Sequence, residues 1–114
     1  LIALDVTTRQ QRTLLQDARI GELSFSASDQ SLWGIRTFNG ICTLVRIPAP
    51  YADWTTIYSW PYGEVAYDLD VSPDGQMVAA SVGDISGKQT VRIMRTASLA
   101  MRAAMGRLAC FQAR

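Results

Sequence analysis

The chain has 114 residues, of which 48% are hydrophobic and 18% are charged, and its net charge at pH 7 is +1. This composition indicates a folded domain and excludes a disordered chain. The small net charge argues against a nucleic-acid-binding module, which usually carries a basic patch. The sequence has no apolar run of about 18 residues, so it predicts no membrane span.

Residues 1–15 predict the outer half of a four-stranded unit, with strands at 1–6 and 12–15 joined by a turn. Residues 21–60 then predict a complete unit, with strands at 23–25, 32–37, 41–47 and 54–60. Asn39-Gly40 is a strong hairpin signal, because a type I′ turn needs positive φ at both central positions. Pro48 and Pro50 end the third strand of this unit, since proline cannot donate a hydrogen bond to the ladder.

Residues 65–99 predict most of a further unit, with strands at 69–71, 77–82 and 90–94. The first two of these strands are joined by the turn Ser72-Pro73-Asp74-Gly75. In such a turn proline presets φ, aspartate caps its own backbone and glycine accepts positive φ. The polar, glycine-punctuated residues 83–88 predict a hairpin loop before the last strand.

The two larger units repeat with an offset of 46 residues. Leucine, serine and glutamine recur between 23–32 and 69–78, and Val45-Arg46-Ile47 matches Val91-Arg92-Ile93 at the same offset. A period of about 40–50 residues is typical of the four-stranded blades of β-propellers. The sequence therefore predicts an all-β fold, a β-propeller fragment built from four-stranded antiparallel meander blades.

The turn at 72–75, the apolar strand after it and the segment Val91-Arg92-Ile93 resemble the WD-repeat-like blades of the TolB-type β-propellers. The resemblance covers residues 1–99, although Ser26-Ala27-Ser28-Asp29 replaces the turn motif in the earlier unit. It implies a propeller of several blades that acts as a binding platform, often in the bacterial periplasm or cell envelope. Similar propellers also precede the catalytic domain of prolyl-oligopeptidase-like hydrolases, where they gate substrate access.

A closed propeller has about 4–8 blades, and 114 residues are too few to build one. Open blade edges and uncovered sheet faces favour aggregation. We therefore expect the chain to be part of a larger protein, or to associate with copies of itself through its open blade edges.

The tail at 100–114 differs in character from the strands before it. Helical spacing of Met101, Ala104, Met105 and Leu108 predicts a short C-terminal helix. Three interpretations stay open: a helix that covers a blade edge, an amphipathic helix that touches a membrane surface or a partner, and interrupted sequence that is not native to the fold.

The sequence predicts no catalytic site, no metal site and no cofactor. It contains no histidine, which is the commonest general base and metal ligand. Asp68 and Asp70 share one face of a strand, but matching carboxylates more often line a propeller channel or organise its turns than perform catalysis. Cys42 and Cys110 either pair or are two separate small apolar residues.

Five residues are candidates for contact with a protein or peptide partner. Tyr51, Trp60 and Tyr62 lie beside prolines in predicted loops, where large aromatic side chains favour interfaces. Arg46 and Arg92 occupy matching positions of the repeat and are expected on the solvent face of each blade. We expect a non-enzymatic interaction module, with an accessory propeller of a hydrolase as the alternative.

Overall fold

The computed structural model describes residues 1–99, and these form three antiparallel sheets with almost no helix. Their strands are β1 (Ile2–Leu4), β2 (Gln11–Thr13), β3 (Ile20–Phe25), β4 (Leu32–Phe38), β5 (Ile41–Ile47), β6 (Thr55–Ser59), β7 (Val65–Val71), β8 (Met77–Gly83) and β9 (Gln89–Arg95). The strand β1 pairs with β2, β3 to β6 form a four-stranded meander, and β7 to β9 form a three-stranded meander. The predicted all-β fold with antiparallel meanders is confirmed.

The turn between β7 and β8 closes as its sequence predicts. The Gly75 N–H donates to the Ser72 carbonyl oxygen at 2.8 Å, and Ser72 Oγ donates to the Asp74 carboxylate at 2.6 Å. Gly75 has a φ of +73°, which a residue with a side chain rarely adopts. Between β4 and β5, Asn39 and Gly40 have φ values of 51° and 76°, as a two-residue type I′ hairpin requires.

The first hairpins of the two larger sheets have the same register. Phe25 lies opposite Leu32 between β3 and β4, and Val71 lies opposite Val78 between β7 and β8. The first strand of each sheet also contains one irregularity of the β-bulge type. The repeat of 46 residues therefore describes this half of each sheet correctly.

The second hairpins differ in register, and this corrects one prediction. Arg46 lies opposite Trp33 on β4. Ala79 is the repeat equivalent of Trp33, but it lies opposite Ile93 and not opposite Arg92. Because neighbouring residues of a strand point to opposite faces, Arg46 and Arg92 lie on opposite faces of their sheets. The expectation that they occupy matching blade positions is wrong.

The core lies between the β3–β6 sheet and the β7–β9 sheet. Its buried residues are Trp33, Ile35, Cys42, Leu44, Trp60, Ala66, Val71, Val78, Ala80, Val82, Met94 and Leu99. The opposite face of the β3–β6 sheet packs on the N-terminal segment, where Ile47 contacts a second cluster with Leu15 and Ala18. The β3–β6 sheet is therefore covered on both faces.

Equivalent positions of the repeat meet where the first strands of the two sheets lie side by side. Ser24 Oγ lies 3.5 Å from the carboxylate of Asp70, which is 46 residues further along the chain. The Val71 N–H also donates to Ser24 Oγ at 3.2 Å. The strands β3 and β7 thus lie side by side at one edge of the two sheets, joined by polar contacts.

After β9, residues 96–99 form one turn of helix. Thr96 Oγ1 donates to the Gly75 carbonyl oxygen at 2.8 Å, and the side chain of Leu99 enters the core. The predicted tail helix and Cys110 lie outside the described residues. Cys42 is a buried free thiol. Within the described part of the chain, no helix is long and apolar enough to cross a membrane.

Candidate functional site

Trp60 does not lie on the surface, so its predicted role as an exposed contact residue is wrong. The side chain is 1% exposed and packs in the core, edge-to-face with Tyr58 at 5.2 Å between ring centroids. The Trp60 N–H donates to the Cys42 carbonyl oxygen at 3.0 Å, which continues the pairing of β6 with β5. This pairing holds the ring against the core although Pro61 follows directly.

The two predicted tyrosines have different environments. Tyr51 is half-buried against the N-terminal cluster, and its hydroxyl donates to the Gln30 carbonyl oxygen at 2.7 Å. Tyr62 is 78% exposed, and its ring lies against Gly40 in the β4–β5 turn. Of the three predicted aromatic contact residues, Tyr62 is therefore the one that presents its ring to solvent.

Arg46 and Arg92 both form intramolecular ion pairs. Arg46 donates to the Asp29 carboxylate at 2.7 Å, and Arg92 donates to both oxygens of Glu64 at 2.9 Å. Ser31 Oγ also donates to Asp29, and the Ser31 and Arg46 bonds hold the pKa of that carboxyl well below its usual range. The bonds to Glu64 raise the pKa of Arg92. Both arginines thus anchor turns of their own chain.

A surface that the sequence did not predict combines two arginines with two aromatic rings. The Arg36 guanidinium lies 4.9 Å from the centroid of Phe38 and 5.2 Å from that of Trp54. The Arg19 guanidinium lies 5.4 Å from the centroid of Phe38. A guanidinium over an aromatic face is attracted by the negative potential of the ring. We call Arg19, Arg36, Phe38 and Trp54 the arginine–aromatic surface.

The sheet register assembles this surface. Arg36 and Phe38 are two residues apart on β4 and so share a face. Arg19 directly precedes β3, which pairs with β4, while Trp54 directly precedes β6. Arg36 Nε also donates to the Ala18 carbonyl oxygen at 3.0 Å, which fixes the guanidinium in place.

The arginine–aromatic surface is positively charged and partly apolar. Phe38 is 44% exposed. Among residues 1–99, neither Arg19 nor Arg36 has a carboxylate within 4.0 Å, and the ion pairs that form there use Arg46 and Arg92. Guanidinium groups pair strongly with carboxylates when these are supplied. The surface can therefore accept an acidic group beside an apolar one.

Asp68 and Asp70, which were predicted to share one face of a strand, lie at a shallow pocket. Asp68 and Asp70 line it with Glu22 and Val91, and its volume is about 190 Å³. In the described residues, no group of three or more histidine, cysteine, aspartate or glutamate side chains is placed to hold a metal ion. The pocket therefore adds acidic surface beside β7.

The sequence signal for the arginine–aromatic surface was weak. The alternation of Arg36 with Phe38 on one strand was visible in the sequence. Arg19 and Trp54 lie 17 and 18 residues from Arg36 in opposite directions along the chain, so only the pairing of strands brings them to it.

Compared with known protein families, the chain matches none of their models, and it matches no curated protein.

Proposed function

We propose that the chain is a non-enzymatic module that binds a protein or peptide, built as part of a β-propeller of the TolB type. The single observation that carries the binding role is the arginine–aromatic surface, with two guanidinium groups that no carboxylate of the described residues neutralises. The four-stranded meander, the stacking of sheets and the contact between their first strands support the propeller architecture.

The chemistry of this surface fits an acidic segment that also carries an apolar side chain. Arg19 and Arg36 would pair with carboxylates of the segment, while the exposed part of Phe38 would contact its apolar group. Arg36 is held by Ala18 and by two rings, so little side-chain entropy is lost when it binds. An acidic partner would therefore meet a preformed surface.

Binding of fluorescent acidic peptides that contain glutamate and phenylalanine tests this proposal. We expect the anisotropy of such a peptide to rise with protein concentration, and matched peptides with lysine in place of glutamate to show no binding. Arg36→Gln should weaken binding by about tenfold or more, because one charge-assisted contact is lost. Added salt should also weaken it, since exposed charges are screened.

Arg12→Gln is the matched control, because Arg12 is an exposed arginine on β2 that makes none of the ring contacts of the surface. It removes the same charge and should leave the affinity unchanged. Equal weakening by both substitutions would mean that the peptide senses only overall charge. Absence of binding by every acidic peptide would refute the proposed role of the surface.

A further inference from the structure

The backbone at Arg19 has an unfavourable conformation directly before β3. Its φ is 56°, in the left-handed region that residues with a side chain rarely adopt. The Arg19 carbonyl oxygen still accepts a hydrogen bond from the Thr37 N–H at 3.2 Å, so the main chain of Arg19 is held beside β4. Such conformations persist where the surrounding structure fixes them, and they are common at functional sites.

This conformation changes the face on which the Arg19 side chain lies. Ile20 pairs with Arg36, and paired residues of neighbouring strands point to the same face. In a regular strand, Arg19 would point to the face opposite that of Ile20, because neighbouring side chains alternate. The Arg19 guanidinium instead lies 5.4 Å from the centroid of Phe38, which shares its face with Arg36. The left-handed backbone thus brings both guanidinium groups to one face of the sheet.

The two guanidinium groups are close together. Because the Cζ atoms of Arg19 and Arg36 lie 5.4 Å and 4.9 Å from one ring centroid, their separation is at most the sum of these distances, about 10 Å. Arg36 Nε donates to the Ala18 carbonyl oxygen at 3.0 Å, so its terminal nitrogens are the donors that can meet a ligand. The two N–H groups of such a fork fit one carboxylate.

Two carboxylates lie near this pair in the sequence, and neither neutralises it. Asp17 precedes Arg19 by two residues, and the carboxylate of Asp53 accepts a hydrogen bond from the Trp54 N–H at 2.8 Å. Both acids lower the positive potential around the pair. In the part of the chain that the structure describes, however, neither lies within 4.0 Å of Arg19 or Arg36. Each arginine can therefore bind one acid of a partner.

We propose that the arginine–aromatic surface binds an extended peptide segment whose acidic residues lie at positions i and i+2. A short disordered segment is extended and not helical in water. In an extended segment, the side chains of residues i and i+2 point to the same side, and their Cα atoms are about 6.5 Å apart. This separation fits two guanidinium groups that are at most about 10 Å apart. The inference rests on the proposed function and adds the spacing of the acids.

Fluorescence anisotropy with three peptides of identical composition tests the spacing. Each peptide carries two glutamates that are two, four or six residues apart in a segment of serine and glycine. One phenylalanine follows the second glutamate by two residues. We expect the first peptide to bind the full chain about tenfold more tightly than the third, in which the acids are about 20 Å apart, because only the first engages both arginines.

Arg19→Gln should abolish this preference. With one guanidinium left, the first peptide should bind no more tightly than the third. Arg36→Gln should abolish the preference in the same way and provides a second variant. The urea midpoint of each variant, compared with that of the wild type, shows that the variant is folded.

Arg9→Gln is the matched control for Arg19→Gln. Arg9 is an exposed arginine with a φ of 59°, and it makes none of the ring contacts of the surface. Its substitution removes the same charge from the same backbone conformation. We expect the tenfold preference for the first peptide to remain in Arg9→Gln, and its loss there would mean that total charge sets the preference, which would overturn the inference.

The wild-type chain separates the remaining outcomes. Equal affinity for the three peptides, with no binding of lysine peptides, would overturn the spacing and leave the proposed function in place. Tightest binding of the peptide with glutamates four residues apart, the spacing of one helical turn, would overturn the extended form of the partner. Absence of binding by every acidic peptide would refute the proposed function itself. Failure of the inference is therefore distinguishable from failure of the proposed function.

Discussion

In the first hairpins of the β3–β6 sheet and the β7–β9 sheet, the residues that pair across the strands are equivalent in the repeat. In the second hairpins, the paired residues are not equivalent. Phe25 faces Leu32 as Val71 faces Val78. In the third strands, Val-Arg-Ile occurs in both sheets, yet the valine and isoleucine are fully buried in β5 and exposed in β9. The same three-residue sequence therefore places its side chains on opposite faces of the two sheets.

Loop length causes this difference. Asn39-Gly40 joins β4 to β5 with two residues, whereas residues 84–88 join β8 to β9. The longer loop is closed by Asp84, whose carboxylate accepts hydrogen bonds from the backbone N–H groups of Ser86 and Lys88. A shift of one residue in pairing moves every side chain of a strand to its other face. Loop closure thus decides which residues of β9 face the core.

Substitution of the aligned isoleucines gives the largest expected effect. Ile47→Ala should lower the free energy of unfolding by about 2–5 kcal/mol, because a buried side chain leaves a cavity. Ile93→Ala should lower it by about 0.5 kcal/mol or less, as for other surface positions. Urea unfolding at low protein concentration measures both values. Equal losses would show that the two isoleucines have equivalent positions, contrary to the register described above.

Alanine substitution of the two turn glycines of the β7–β9 sheet should give a smaller difference in the free energy of unfolding. Gly75 and Gly87 both have positive φ, so alanine costs about 1–2 kcal/mol at either position. A Cβ at Gly75 would also meet Ser28 of the neighbouring sheet, whereas none would be met at Gly87 within 4 Å. Gly75→Ala should therefore cost about 2–4 kcal/mol in total.

Thermal and urea unfolding of the two glycine variants provide the measurement. If Gly87→Ala were as destabilising as Gly75→Ala, the close approach of Gly75 to Ser28 would contribute nothing to the loss of stability. Gly75→Ser offers no relief, because its larger side chain has the same Cβ.

The smallest expected effect is the pH dependence of stability that comes from Asp29 and Asp74, in the turns after β3 and β7. Asp29 binds Ser31 and Arg46, while Asp74 binds Ser72 and Gln76, and these bonds lower the pKa of both carboxyls. A lowered folded-state pKa stabilises the fold above the unfolded value of about 3.9, and this stabilisation is lost as pH falls through the folded-state value. Stability should therefore decrease below about pH 4.

Asn substitution tests the role of each aspartate. Asp29→Asn should reduce the difference in unfolding free energy between neutral and acidic pH by about 1 kcal/mol or less, the range of exposed ion pairs. Asp74→Asn should reduce it less, because the carboxylate of Asp74 pairs with no cation among the described residues. Unfolding curves at neutral pH and at about pH 3 make the comparison; a larger effect of Asp74→Asn would contradict it.

Sequence reasoning located the strands and turns because their signals are local. The turn at Ser72 and the hairpin at Asn39 depend on two to four adjacent residues, and both formed as predicted. The face on which a strand places its side chains depends on the length of the loop and on the pairing register. A gapless alignment of Arg46 with Arg92 does not show this register. The membership in a TolB-type propeller and the identity of a partner stay predictions.

The candidate site was harder to predict than the fold. Trp60 follows a strand and precedes a proline, and this local pattern suggested exposure, whereas pairing with Cys42 buries the ring. The arginine–aromatic surface joins Arg19, Arg36 and Trp54 across three strands or strand ends. No local sequence pattern predicts these contacts, because they form only when the strands pair.

The packing of the β3–β6 sheet on both faces has a consequence for cooperativity. A linear stack of sheets gains its stability from each neighbouring interface, so a unit with two neighbours opens after a unit with one. The short β1–β2 sheet has only three residues in each strand, and no residue of these strands belongs to either buried cluster of the described chain. Among residues 1–99, we therefore expect local opening to begin in the β1–β2 sheet, and we expect the β3–β6 sheet to exchange its amide protons last.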